Sequence, residues 1–234
     1  MRHRTVSDLM THAVQRVGPD TAFKDIVKLL TEHGITAVPV VDDNDRPLGV
    51  VSEADLLRKE AVQPDAAGLL PPADLPAGMR ARAAAVTAGG LMTSPAVVAL
   101  PQWTVVQAAR VMDTHQVKRL PVVDDTGRLV GIVSRLDLLR VFLRRDPIIR
   151  EEISGAVLDR TLGITPGEVV VRVKGGRVTL RGTVRHPGLI PVVVRLCQDV
   201  DGVVDVTEEL GCRTDDPGGV TAALPLQAPL NGRR

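Results

Sequence analysis

The chain contains one sequence pattern twice. Residues 9–58 align with residues 91–140 at a constant offset of 82 positions (91 minus 9), without insertion or deletion. The match includes polar residues, because segment 49–55 returns as segment 131–137 with its Ser and Asp in place. A duplication that keeps polar residues in register repeats a site as well as a fold, so we expect two related pockets.

Each copy has the pattern of a helix, two short strands and a second helix. The apolar residues of the first helix recur at the spacing i, i+3, i+4 and i+7. They are Phe23, Ile26, Val27 and Leu30 in the first copy and Val105, Ala108, Ala109 and Met112 in the second. The strands are predicted at 37–41 and 48–51, and at 119–123 and 130–133. A second helix is predicted to begin at Ser52 or Ser134.

A dissimilar segment follows the second copy. Its pattern predicts a helix over 148–162, alternating strands over 169–174 and 177–184, a helix over 189–198 and a strand over 203–210. Gly175 and Gly176 fit a two-residue hairpin turn between the first two strands. The order is αββαβ, so the fold class is α+β, with a pseudo-twofold pair of repeats and a small C-terminal domain.

These patterns divide the chain into five segments. The copies occupy 6–58 and 91–143, and the C-terminal domain occupies 148–212. Residues 59–90 form a linker whose middle is rich in Pro and Gly, with a helix possible over 80–87. Residues 213–234, dominated by Pro, Gly and Asp, are predicted to be a disordered tail.

Composition excludes several classes of protein. A formal net charge of +1 gives no overall attraction to nucleic acid. Two cysteines are too few for a disulfide framework. The basic first residues lead into no apolar stretch, and no apolar run reaches the length that spans a bilayer, so a cytoplasmic location is expected.

The most informative tetrad follows the second strand of each copy: Ser52 to Asp55 and Ser134 to Asp137. A Ser followed three residues later by an acid is typical of a helix N-terminus, where both side chains cap free backbone amides. A capping box favours Glu or Gln at the third position, however, and both copies have Asp. A binding role for the two carboxylates is therefore the second interpretation.

The segments 38–42 and 49–55, with their copies 120–124 and 131–137, resemble the signature of the CBS domain, and a tandem of such domains forms a CBS pair, or Bateman module. In family members that bind adenosine compounds, the Asp of this motif accepts hydrogen bonds from ribose hydroxyls. The resemblance assigns that role to Asp55 and Asp137, since a carboxylate can accept from both hydroxyls of a diol.

The rest of the implied sites follows from the same resemblance. Ser52 and Ser134 stand beside backbone amides that attract phosphate. Adenine is expected against the residues before and within the first strand of each copy: Ile35, Ala37, Val38 and Pro39, and Val117, Lys118, Arg119, Leu120 and Pro121. Lys118 and Arg119 replace Thr36 and Ala37, which predicts that the second copy prefers a multiply phosphorylated ligand. The alternative is a solvated basic turn.

The C-terminal αββαβ order and the glycines of 175–182 and 202 resemble the BON domain, whose implied role is attachment to phospholipid or to partner proteins. One face of the predicted hairpin is basic, through Arg172, Lys174, Arg177 and Arg181. These cations are candidates for binding an anionic lipid surface. The alternative is that Glu208 and Glu209 on the last strand neutralise them.

No residue pattern indicates catalysis or a metal site. The acidic segment 42–47 has Pro47 where a calcium loop needs glycine, and His33 and His115 each stand near a helix C-terminus, where imidazole is favourable without a metal. The expected function is a non-catalytic regulator without a resident cofactor. Its CBS pair binds ATP, ADP or AMP, and its BON-like domain transmits or anchors the signal to an unidentified protein target.

The helices led by Ser52 and Ser134 are expected to form a homodimer through Leu56, Leu57, Leu138 and Leu139. Two alternatives remain: a dimeric scaffold whose pockets are empty, and a phospholipid-associated protein that acts through its BON-like domain.

Overall fold

The computed structural model describes residues 4–65, 67, 71 and 73–212. Its contacts divide the chain into two compact units, with the boundary after Arg145. The predicted disordered tail lies outside the described residues, as do Gly68 and Pro72 of the linker.

The first unit contains both copies and the linker. The first copy comprises α1 (Val6–Leu9), α2 (Phe23–His33), β1 (Ala37–Val41), β2 (Pro47–Ser52) and α3 (Glu53–Ala61). The linker contains α4 (Ala77–Ala84). The second copy comprises α5 (Ala88–Leu91), α6 (Val105–Thr114), β3 (Arg119–Val123), β4 (Leu129–Ser134) and α7 (Arg135–Leu139), followed by a 3-10 turn over Arg140–Leu143.

The two hairpins have the same register. Ala37 is opposite Ser52 in the antiparallel pair β1–β2, and Arg119 is opposite Ser134 in β3–β4. A register shift falls at the same place in each, before Val41 and before Val123. We call β1 and β3 the inner strands of the two hairpins. The register therefore puts the first residue of each inner strand beside the Ser that leads the following helix.

The leading helices are exchanged between the copies. Val6 and Leu9 of α1 pack into the core of the second copy, and Ala88 and Leu91 of α5 pack into the core of the first. Backbone bonds continue the exchange, since Thr11 N donates to Ile132 O (2.9 Å) and Thr93 N donates to Val50 O (3.0 Å). Each segment thus covers the open edge of the other copy's hairpin, where unpaired backbone groups need partners.

The buried stripe of α2 and α6 is narrower than the sequence pattern predicted. Ile26 and Leu30 are buried in α2, as are Ala108 and Met112 in α6. The i+4 positions, Val27 and Ala109, are exposed instead. This correction applies equally to both copies.

The second unit has the predicted αββαβ order. Its first helix, α8 (Asp146–Glu152), continues as a π-helix over Ile153–Thr161. Strands β5 (Val169–Lys174), β6 (Arg177–Val184) and β7 (Asp205–Cys212) form one sheet in that order, with β5–β6 antiparallel and β6–β7 parallel. Helix α9 (Leu189–Gln198) crosses between β6 and β7.

The turn between β5 and β6 is stabilised by two glycines and by a carboxylate of α8. Gly175 and Gly176 take positive φ (59° and 74°), as the tight turn requires, and their amides donate to the Asp146 carboxylate at 2.7 and 3.0 Å. Cys197 is fully buried in the core, and burial raises the pKa of its thiol to about 12.

Throughout the part of the chain that the structure describes, helices are too short or too polar to cross a membrane.

Candidate functional site

A cavity of about 550 Å³ lies between the two copies in the first unit. This volume is within the range of small-molecule sites. The first copy contributes its strand ends and the start of α3, and the second copy contributes the segments before α6 and before β3. The lining residues are Thr36, Ala37, Val50, Ser52, Glu53, Ala54, Asp55, Arg58, Thr93, Pro95, Ala96, Val97, His115, Gln116, Val117, Lys118 and Arg119.

Asp55 is the buried carboxylate of this cavity, with only 7% of its surface exposed. Its Oδ2 accepts hydrogen bonds from Ser52 N (2.9 Å) and Ser52 Oγ (2.6 Å), and these bonds belong to a capping box at the start of α3. Its Oδ1 accepts a bond from Arg58 Nη1. The capping interpretation of this residue is therefore correct, and the carboxylate also lines a cavity.

Asp137 has the same local geometry without the same surroundings. Its Oδ2 accepts from Ser134 N (2.9 Å) and Ser134 Oγ (2.6 Å), and its own amide donates to Ser134 Oγ (3.2 Å). Its Oδ1 lies 3.4 Å from Arg140 Nη1. Neither Asp137 nor Ser134 lines the cavity beside Asp55. The two carboxylates are equivalent as helix caps and differ in what they face.

The cations of the second copy lie in the cavity that contains Asp55. The sequence analysis placed Lys118 and Arg119 in a second pocket with Asp137, and the structure shows that both cations line the cavity that Asp55 also lines. Burial lowers the pKa of the Arg119 guanidinium, and the charges of Glu53 and Asp137 oppose that shift. The charges of carboxylates from both copies therefore act on Arg119.

The charges of the lining favour an anionic ligand. Three cations (Arg58, Lys118 and Arg119) face two carboxylates (Glu53 and Asp55). Arg58 is bonded to Asp55. The ammonium of Lys118 makes no hydrogen bond or ion pair within the described residues, and it is the lining cation best able to take an anionic partner.

Most of the predicted adenine-binding residues lie in the cores. Val38 and Leu120 have no exposed surface, and Pro39 and Pro121 are buried. Ile35 packs against the core of the first copy. Their side chains do not line the cavity, because the central part of each inner strand is covered by helices. From the two predicted strips, Ala37, Val117, Lys118 and Arg119 are the residues that line it.

The sequence analysis missed the segment 93–97 and the residues His115 and Gln116. Segment 93–97 reaches the cavity because α5 belongs to the core of the first copy, which brings Thr93 onto β2. Arg82 of α4 also reaches this rim, where its Nη1 donates to Thr93 Oγ1 at 3.2 Å. The pattern of apolar residues contains no signal for the exchange that produces these contacts.

The second unit has a basic face of its own. Arg172, Lys174 and Arg177 are exposed on adjacent strands. Arg181 is paired with Glu209 through two bonds (Nε–Oε2 2.8 Å and Nη2–Oε1 2.9 Å), which raise the pKa of Arg181 and lower that of Glu209.

Glu208 accepts from the Leu210 amide (3.0 Å). Of the two acids that were predicted to neutralise the basic face, Glu209 therefore pairs with Arg181. Among the residues that the structure describes, no group of three or more His, Cys, Asp or Glu side chains is arranged to hold a metal ion.

Comparisons with known proteins agree with this architecture. The CBS domain family model matches residues 6–61 and 88–144, and the BON domain model matches residues 145–211. The chloroplastic CBS domain-containing protein CBSX2 of Arabidopsis thaliana is 32% identical over 60% of this chain, and the match spans 64% of that protein, less than two thirds of its length. Hypoxic response protein 1 of Mycobacterium tuberculosis is 31% identical over 58% of this chain and 83% of its own. The crystal structure of CBSX2 in complex with AMP is similar over 60% of this chain and 97% of that chain, with a TM-score of 0.50 and 34% identity.

Proposed function

Because the chain belongs to the CBS domain family, as a tandem CBS pair followed by a BON domain, we propose that it is a non-catalytic regulatory protein whose CBS pair binds ATP, ADP or AMP. The observation that carries this proposal is the cavity, in which the buried carboxylate of Asp55 and the cations Lys118 and Arg119 line one space. A nucleotide has the matching groups, a hydroxylated sugar between a base and an anionic phosphate.

The ribose is assigned to Asp55. Its Oδ2 already accepts two hydrogen bonds, and its Oδ1 accepts one from Arg58. Since a carboxylate oxygen has two acceptor positions, Oδ1 retains one for a ribose hydroxyl. Such a bond would be charge-assisted and partly shielded from water, which makes it stronger than a bond between neutral groups.

The phosphate is assigned to Lys118 and Arg119. Both belong to the second copy, whereas Asp55 belongs to the first. A nucleotide that bonds to both would join the copies, and it would favour the arrangement in which these residues face one cavity. Regulation then follows from the differential affinity of the nucleotide for that arrangement. CBSX2, whose crystal structure contains AMP, supports the ligand class.

Self-association is assigned to the exposed apolar residues of α3 and α7. Leu57 is 66% exposed and its counterpart Leu139 is 55% exposed, with Leu136 beside it at 69%. Leu56 and Leu138, also predicted as dimer contacts, pack in the cores instead. We expect Leu57→Glu with Leu139→Glu to convert a dimer to a monomer in analytical ultracentrifugation, and a wild-type chain that sediments as a monomer would contradict the assignment.

The BON domain is proposed to transmit or anchor the signal in the cytoplasm, toward a protein target or an anionic surface. Arg172, Lys174 and Arg177 are the exposed cations of its predicted basic face that lie outside the Arg181–Glu209 pair, each worth about 1 kcal/mol near anionic lipid. Cosedimentation with vesicles of phosphatidylserine at low salt should be lost in Arg172→Glu with Lys174→Glu. Absence of wild-type binding would leave a protein target as the role of this domain.

The nucleotide site is tested by a matched pair of variants, Asp55→Asn and Asp137→Asn. Both replace the same capping carboxylate, and they differ in whether it faces the cavity. Loss of a hydrogen bond to a charged group costs about 1.5–3 kcal/mol, which is about a 10- to 150-fold loss of affinity. We expect that loss in isothermal titration of Asp55→Asn with ATP, ADP and AMP, and less than about a threefold change in Asp137→Asn.

Two results would contradict the proposal. Unchanged affinity in both variants would leave helix capping as the only role of Asp55. Absence of binding by the wild-type chain for all three nucleotides would favour the dimeric scaffold with empty pockets. Thermal unfolding of both variants provides the control, since each carboxylate accepts from the backbone N and the Oγ of its Ser and the two variants are expected to lose similar stability.

A further inference from the structure

We propose that the CBS pair binds one phosphorylated nucleotide per chain, because the phosphate contacts of one position are Lys118 and Arg119, whereas those of the symmetry-related position are the uncharged Thr36 and Ala37. This inference rests on the proposed function and narrows it. The duplication predicted two related pockets, and the lining of the cavity shows why the two positions are not equivalent.

The repeat itself identifies the shared residues. At the offset of 82 positions, Thr36 corresponds to Lys118 and Ala37 to Arg119. All four residues line the same cavity. A symmetry-related nucleotide position, with Asp137 in place of Asp55, would therefore be bordered by the same four residues. Its own copy of the phosphate contacts would come from Thr36 and Ala37, which carry no charge.

The other cations of the second position are already engaged. Arg140 pairs with Asp137 as Arg58 pairs with Asp55. Arg135, which stands where the first copy has Glu53, is held by main-chain carbonyls: its Nε donates to Val117 O (3.1 Å) and its Nη2 to Met112 O (3.4 Å). Neither is available in this structure as a free cation for a second phosphate.

Lys118 and Arg119 then set the stoichiometry. A nucleotide whose ribose bonds to Asp55 places its phosphate on this pair. A second nucleotide, with its ribose on Asp137, would bring its phosphate to Thr36 and Ala37, in the same cavity and without a cation of its own. Like charges at short distance repel strongly where solvent is partly excluded, so the second binding event is weakened by the first.

The test is isothermal titration of the full chain with ATP, using wild type and two single variants that exchange the residues of one equivalent pair. Lys118→Thr gives the second copy the residue of the first, and Thr36→Lys gives the first copy the residue of the second. Lys118 is exposed and Thr36 is partly exposed, and both line the cavity. Circular dichroism checks that each variant is folded.

We expect a wild-type stoichiometry near one ATP per chain. Lys118→Thr should weaken ATP binding about tenfold or more, and Thr36→Lys should add a second binding event. Two equal sites in the wild type would overturn this inference and leave the proposed function intact, as would unchanged affinity in Lys118→Thr. No ATP, ADP or AMP binding by the folded wild type would overturn both. The wild-type stoichiometry needs no variant, so the inference is testable even if a variant fails to fold.

Discussion

The two CBS copies have one backbone plan and two different sets of side chains around their shared cavity. Each inner strand pairs with its neighbour in the same register, each following helix has a Ser–Asp capping box, and each cap carboxylate pairs with an Arg three residues later. Their charges differ near the cavity, where Thr36, Ala37 and Glu53 in the first copy become Lys118, Arg119 and Arg135 in the second.

This difference separates what the fold requires from what a ligand requires. A helix cap and a strand register are needed in both copies, because each copy must satisfy its own buried backbone groups. The charge at the start of an inner strand is free to diverge. The asymmetry of the site is therefore compatible with a nearly symmetrical scaffold.

The largest expected effect comes from truncating an exchanged helix. Leu9→Ala removes a side chain from the core of the second copy, and Leu91→Ala does so in the first. Each should lower the free energy of unfolding by about 2–5 kcal/mol, as buried Leu→Ala substitutions do. Chemical denaturation measures this loss.

The two variants should differ in a second signal. Val6 N, in the helix that contains Leu9, donates to Trp103 O (2.8 Å), and Trp103 packs on the core of the second copy. Leu9→Ala should therefore change the native fluorescence of Trp103 more than Leu91→Ala does. A larger change in Trp103 fluorescence in Leu91→Ala than in Leu9→Ala would contradict the exchange of helices.

A smaller effect distinguishes two equivalent glycines. A Cβ at Gly49 would lie 2.7 Å from both Met92 Sδ and the main-chain oxygen of Thr93. A Cβ at Gly131 would contact the flexible Met10 side chain, including its Sδ. Gly49→Ala should cost about 1–3 kcal/mol, the range for overpacking, and Gly131→Ala should cost less.

Thermal unfolding of the two glycine variants measures the difference. An equal loss of stability would show that the Thr93 main chain moves as readily as the Met10 side chain.

The smallest expected effect concerns the hairpin turns. Asp124 Oδ1 accepts from Thr126 Oγ1 (2.7 Å), Thr126 N (2.9 Å) and Arg128 N (2.9 Å). The Thr126 hydroxyl bond is the largest cause that lowers the pKa of Asp124 below 3.8, followed by the Arg128 amide. In the first copy Asn44 replaces Thr126, and the hydroxyl is missing.

A lowered pKa means that the charged carboxylate is favoured in the folded state. The stabilisation is complete above the ordinary pKa near 3.8 and is lost as the pH falls through the lower, folded-state value. Thr126→Val should raise the pKa of Asp124 toward 3.8 in an NMR titration. A pKa that does not move would show that the amide bonds alone lower it.

Much of the scaffold was predictable because its signals are local. The strands at 37–41 and 119–123 have the predicted bounds, since short apolar runs between turn residues indicate buried strands. The Ser and Asp of each cap stand three residues apart, so their contact follows from helix geometry alone.

The cavity was less predictable because it depends on contacts between distant segments. Leading helices of four residues, such as α1, are too short to show a periodicity, and the sequence analysis predicted neither of them. The duplicated motif and the family resemblance placed Lys118 with Asp137 and assigned Val38 and Leu120 as ligand contacts. The exchange of α1 and α5 changes which residues of each copy face a common space.

The most direct test of this account is a crystal structure of the full chain grown with ATP. We predict one nucleotide per chain in the cavity between the copies, with its ribose on Asp55 and its phosphates on Lys118 and Arg119. A nucleotide whose ribose contacts Asp137 instead, or two nucleotides per chain with equal occupancy, would contradict the asymmetry of the site. A cavity that stays empty at saturating ATP would contradict nucleotide binding itself.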